Sequence, residues 1–185
     1  MKTRKYFYSK ITFMLITLLI TNIACERELS DDYVVATFPT TADIFIDGPI
    51  GLGTDFYFPY IGEPSNPIGS KLNAWSIDEE VSYEGTASMR FDVPNADDPE
   101  GNYAGAAFII DGAGRDLSGY NALTFWAKAS QGVSIGEIGF GEGETIVLRR
   151  NVSVSTGWNK VIIPIPDPSK LTQERGMLRL SLIHI

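Results

Sequence analysis

A chain of 185 residues with one histidine and one cysteine supports few reaction mechanisms. The histidine, His184, is next to last in the sequence, and Cys25 ends an apolar run near its start. Ser-His and Cys-His nucleophilic pairs and histidine-rich metal sites are thereby unavailable. Carboxylates remain, because acid-base hydrolysis of a glycosidic bond needs only two of them, about 5 to 9.5 Å apart across a cleft. The best candidate cluster is Glu137, Glu142 and Glu144 in the stretch EIGFGEGE.

That stretch superficially resembles the catalytic strand of β-jelly-roll glucanases, whose motif sets Glu, Asp and Glu at alternate positions. Gly139 and Gly141 stand where the aspartate and the second glutamate belong, so the motif fails and an acidic hairpin turn is the better reading. The glycine-rich Asp111 to Arg115 is followed by a turn and another strand, with no helix whose N-terminus would receive a phosphate. Asn151-Val152-Ser153 fits the glycosylation pattern but carries no functional weight here.

The elements that must position any site are strands. From Tyr33 onward, short extended runs alternate with Gly, Pro, Asn and Asp, the spacing of all-β sandwiches and barrels, and there is no helical stripe. In Thr86 to Val93, Ala87, Met89, Phe91 and Val93 alternate with Ser88, Arg90 and Asp92, which predicts a half-buried antiparallel strand. Further strands are expected over residues 44–47, 55–59, 103–110, 122–129, 135–140, 145–154 and 158–165. Phe91, Phe108, Leu123, Phe125, Ile138, Phe140, Ile146, Leu148, Val161 and Ile163 are the expected core. The predicted fold class is therefore an all-β antiparallel sandwich. One more strand is needed after Met177, and residues 180–185 read as a non-native tail, so that the closing strand is expected to be lost by truncation.

Lys2, Arg4, Lys5 and Lys10 precede an apolar run from Ile11 to Ile20, the order of a secretory signal peptide over residues 1–24. The run is shorter than the roughly 20 residues of a membrane-spanning helix. Ile23-Ala24-Cys25 resembles the lipobox of bacterial lipoproteins, with Asn22 where that motif prefers leucine. The resemblance implies lipidation at Cys25 and residues 25–42 as lipidated N-terminus and acidic linker, while the strand pattern makes residues 43–179 the folded domain. It also implies export to the outer membrane, facing the cell exterior. The formal charge of −8 becomes more negative once the four basic residues of the signal are removed. Such a chain repels phosphate backbones at long range, which argues against nucleic acid and confines membrane contact to the lipid anchor.

YEGTASMRFDVP, GNYAGAAFI, RDLSGYNALTFWAKAS and STGWNKVIIPI resemble successive strands of galactose-binding-like jelly rolls, the fold of many carbohydrate-binding modules. The resemblance implies a jelly roll that binds glycan without catalysis. Sugar rings offer apolar C–H faces rimmed by hydroxyls, so a site needs flat aromatic surface beside planar donors. The candidates are Trp75, Tyr103 and Trp126 as platforms and Arg149 as donor, for a neutral glycan. Parity sends Trp126 outward with Thr124 and Lys128. The small run Ala104 to Ala107 leaves room for a groove beside Tyr103. For each ring the competing assignment is core packing, and Trp158 is assigned to packing. No cofactor is required, but such jelly rolls often hold structural calcium, for which Asp47, Asp97 and Asp98 offer oxygen ligands. Two other functions fit: accessory module of a polysaccharide-degrading enzyme whose catalytic domain is missing, or structural or adhesive surface domain.

Overall fold

The computed structural model of the chain describes residues 38–61 and 69–183, which form one compact unit from Phe38 onward. The signal segment, Cys25 and most of the expected linker lie outside the described residues.

Among the described residues nine strands follow in order: β1 (Tyr57–Pro59), β2 (Trp75–Asp78), β3 (Ser88–Phe91), β4 (Tyr103–Ile109), β5 (Ala122–Ala127), β6 (Val133–Phe140), β7 (Val147–Val154), β8 (Asn159–Pro164) and β9 (Gly176–Ile183). They build a five-stranded antiparallel sheet of order β1-β4-β9-β6-β7 and two antiparallel pairs, β2-β3 and β5-β8. Alternation explains the layering. Ala104, Ala106 and Phe108 of β4, Ile138 and Phe140 of β6, and Leu178, Leu180 and Leu182 of β9 point to one side of the large sheet. Val161 and Ile163 of β8 meet them in the same buried cluster, with Leu123 and Phe125 of β5 and Met89 and Phe91 of β3 packed against it. This is the expected antiparallel β-sandwich.

Several expectations need correction. The run over residues 44–47 contributes an isolated bridge from Phe45 to Pro49 rather than a strand, while the polar-looking residues 75–78 form β2. Ile146 and Leu148 face outward: the strand starts two residues later than expected, after a 3-10 turn at Gly143–Thr145, and Val147 is the residue that faces the core opposite Phe140.

The boundaries at both ends of the domain also move. Residues 180–183 continue β9, which lies between β4 and β6, so the strand expected to be missing is present at the centre of the sheet. Burying Leu180 and Leu182 is worth about 1.5 to 3 kcal/mol each, which is what holds this segment in place. At the other end, residues 39–42 are not free linker. Asp116 donates its amide to the Pro39 carbonyl, and the Tyr120 hydroxyl donates to that of Thr40. The buried Arg115 guanidinium donates to the carbonyls of Thr41, Asp43 and Ile50, so one side chain straps the whole segment to the sandwich.

Candidate functional site

Register across the large sheet assembles a site on its outer face. One row of neighbours runs Phe58, Ala107, Arg179, Gly139 and Leu148, one residue from each of β1, β4, β9, β6 and β7. The next runs Gly105, Ser181, Glu137 and Arg150, with Tyr60 at its β1 end donating its amide to the Gly105 carbonyl. Large side chains stand over the edge strands, and between them Gly105, Ala107, Gly139 and Ser181 lie low around the long side chains of Arg179 and Glu137. With strands about 4.8 Å apart, the two edges are roughly 19 Å from each other. The result is a trough walled by rings on one flank and by Leu148 and Arg150 on the other.

Two glycines hold the floor low. A Cβ on Gly105 would sit 2.7 Å from the Tyr103 ring and 3.0 Å from that of Tyr60, so both rings close over bare backbone. A Cβ on Gly139 would run into the carbonyl of Val147 on the adjoining strand. Phe58 is 42% exposed and has no ring-to-ring contact among the described residues. Tyr103 is half-buried, and its hydroxyl donates to the Tyr60 carbonyl at 3.3 Å.

The polar groups of the face largely compensate one another. Glu137 and Arg150 form an ion pair at 2.9 Å, and Arg179 donates to the Gly141 carbonyl at 2.7 Å. Burial pushes the Tyr60 phenol above its usual range, against the opposing pull of the Arg179 charge and hydrogen bond. Burial raises the Tyr103 phenol too. Both therefore remain neutral hydroxyls at ordinary pH. The trough offers ring faces, planar guanidinium donors and one carboxylate, a set suited to hydroxyl-bearing ligands of little net charge.

The four residues singled out in the sequence do not converge. Tyr103 belongs to this face. Trp75 is corrected to core: it is half-buried, with its ring centroid 5.4 Å from Phe56, 5.8 Å from Tyr57 and 5.7 Å from Phe108, which leaves no face for a sugar. Arg149 is also misplaced as a donor for this site. It pairs in register with the core residue Ile138, so it points to the inner side at the sheet edge and donates to the Ile162 carbonyl on β8. Trp126 does face outward with Thr124 and Lys128, but on the opposite side of the sandwich, stacked on Tyr83 at 4.1 Å. Trp158 joins that group, edge-on to Tyr83. Phe58, Tyr60, Arg150 and Arg179 were missed. Parity along Tyr57 to Tyr60 was the available signal, since Tyr57 packs on the core and its successor must face the other way.

Two of the residues offered for calcium are engaged by groups of the protein. Asp47 accepts the amides of Thr86 at 2.6 Å and Ala87 at 2.9 Å, which hold its carboxyl below the usual range. Asp98 is lowered chiefly by its 2.9 Å bond from Lys71 and also accepts the Glu100 amide, while Asp97 is simply exposed. Among the described residues no group of three or more His, Cys, Asp or Glu side chains is placed to hold a metal. Asp47 and Asp98 brace loops.

Residues 54–175 match the family described as Carbohydrate binding domain 30. No curated protein and no solved structure matches the chain. An antiparallel sandwich with an open, ring-walled sheet face, matched to that family, is a carbohydrate-binding module. The match covers more than half of the sequence, and the chain belongs to the carbohydrate binding domain 30 family. It takes in β1 and the β4, β6 and β7 parts of the trough, while Arg179 and Ser181 lie just beyond it.

Proposed function

We propose that the domain binds a neutral polysaccharide along the outer face of the five-stranded sheet, without cleaving it. The observation that carries this reading is the cross-strand row from Phe58 to Leu148, in which Ala107 and Gly139 lie low on either side of Arg179, with the Tyr60 and Tyr103 rings beside it. Sugar faces stack on the rings of the β1 flank, and Arg179, Ser181 and the Glu137–Arg150 pair take hydroxyls. Cleavage would need two carboxyl groups across the bound chain, and the two rows contain only Glu137. The basic and apolar order of residues 1–20 and the position of Cys25 support display from a lipid anchor at the outer membrane, where polysaccharide is met.

Affinity electrophoresis of the full chain through gels containing soluble glucans, mannans, galactans or xylans tests the proposal. At least one neutral polymer retards the folded protein, and Phe58→Ala together with Tyr103→Ala abolishes the retardation. Equal retardation of that double variant would move the site elsewhere.

A further inference from the structure

The opposite face carries a second set of exposed rings, and its charge differs from that of the trough. Trp126 on β5 is 40% exposed and stacks on Tyr83 with their planes 15° apart. Lys160 on β8 is its register partner, and the Lys128 ammonium stands 5.6 Å from the Trp158 ring centroid. Among the described residues neither lysine has a carboxylate within 4.0 Å, unlike Lys71, Arg150 and Lys170. The exposed Glu79, Glu80 and Glu84 belong to the connection that carries Tyr83, and none of them pairs with these lysines. Two uncompensated ammonium groups beside exposed rings are conspicuous on a chain of formal charge −8.

We propose that this outer face of β5 and β8 is a second glycan site, selective for sugars bearing a carboxylate, such as uronates. The C–H face of a uronate lies on the exposed part of the Tyr83–Trp126 pair, and its carboxylate meets Lys128 or Lys160 in a charge-assisted hydrogen bond. The net negative charge of the chain does not prevent this, because charges more than about 8 Å away are largely screened at physiological ionic strength. Sheets in a sandwich are about 10 Å apart, so a chain held in the trough does not also lie on this face. The two sites then hold separate chains, or separate stretches of one, which raises avidity without any new contact. The inference rests on membership of a carbohydrate-binding family and not on the assignment of neutral glycan to the trough.

The test is affinity electrophoresis of the full chain in gels containing polygalacturonate, polyglutamate or a neutral polysaccharide. Polygalacturonate retards the wild-type protein, and Lys128→Gln with Lys160→Gln weakens that retardation about tenfold or more. Both changes are on the surface and keep the Tyr83–Trp126 stack, which near-ultraviolet circular dichroism verifies. Phe58→Ala leaves polygalacturonate binding intact, so failure of the trough assignment shows only in the neutral gels. The proposal is overturned if folded wild type runs freely in polygalacturonate, if the double lysine variant is equally retarded, or if polyglutamate retards as strongly as polygalacturonate.

Discussion

The trough on the large sheet and the ring cluster on the small one are built from the same ingredient, an aromatic residue at an outward strand position, and differ in what stands across the sheet from it. Opposite Phe58 is Ala107, with Arg179 and Gly139 beyond it, so the ring keeps its exposed surface beside a small neighbour. Beside Trp126 stands Tyr83, which consumes one face of the indole, and Lys160 supplies an ammonium, where the trough has the Glu137–Arg150 ion pair and Arg179 bonded to a carbonyl. Exposure is nearly equal, 42% for Phe58 and 40% for Trp126, so it does not distinguish them. Register does: cross-strand neighbours decide whether an exposed ring is a platform, a partner of another ring, or both.

The largest expected effect attacks the floor of the trough. Gly139→Val drives a side chain into the backbone of β7, costs about 3 kcal/mol in urea unfolding, and removes neutral-glycan binding. Slightly smaller is Arg115→Met, which strips three carbonyls of their donor and costs about 2 kcal/mol. Because Arg115 belongs to neither face, both binding activities persist in the folded fraction, and loss of either one would tie the N-terminal strap to ligand binding. Phe58→Ala weakens neutral-glycan binding about tenfold, or roughly 1.4 kcal/mol, with unfolding little changed.

Alkaline pH probes the two tyrosines of the trough and the core-facing Tyr57. Tyr57, Tyr60 and Tyr103 all have phenols raised above 10.0 by burial, so the folded state holds their protons more tightly than the unfolded chain. Their contribution to stability is constant below pH 10 and lost as pH rises through the raised values, which a urea series from pH 8 to 11 reads directly. The smallest change is Glu137→Gln. It opens an ion pair that is largely solvent-exposed, shifts stability by less than about 1 kcal/mol, and leaves neutral-glycan affinity within a few-fold.

The fold was legible wherever alternation was clean. β3, β4, β5 and β8 follow from their own residues, and Thr124, Trp126 and Lys128 face outward as parity requires. β9 shows the same alternation in Leu178, Leu180 and Leu182 against Arg179 and Ser181, but its last residues look foreign to the chain, which hides the strand in the sequence. β7 misled for a different reason. Asn151 adopts a positive φ of 53°, and a turn precedes the strand, so parity could not be carried through from Thr145.

The site was less legible than the fold. The small run beside Tyr103 pointed to a groove, and its outward members Gly105 and Ala107 do line one. Its other residues come from β1, β6, β7 and β9, and only the order β1-β4-β9-β6-β7 brings Phe58 and Arg179 into one row. Trp75 failed because its sequence neighbours are acidic while its spatial neighbours are Phe56, Tyr57 and Phe108. A tryptophan's surroundings along the chain say little about those across the sheet.

The assignment of neutral glycan to the large sheet is tested most directly by amide chemical shifts. The nitrogen-15-labelled full chain is titrated with oligosaccharides cut from the neutral polymer that retards it in gels. Shifts concentrated at Phe58, Gly105, Ala107, Glu137, Gly139, Arg179 and Ser181 are the predicted result. Shifts concentrated at Thr124, Trp126 and Lys160, with the large sheet silent, would contradict it.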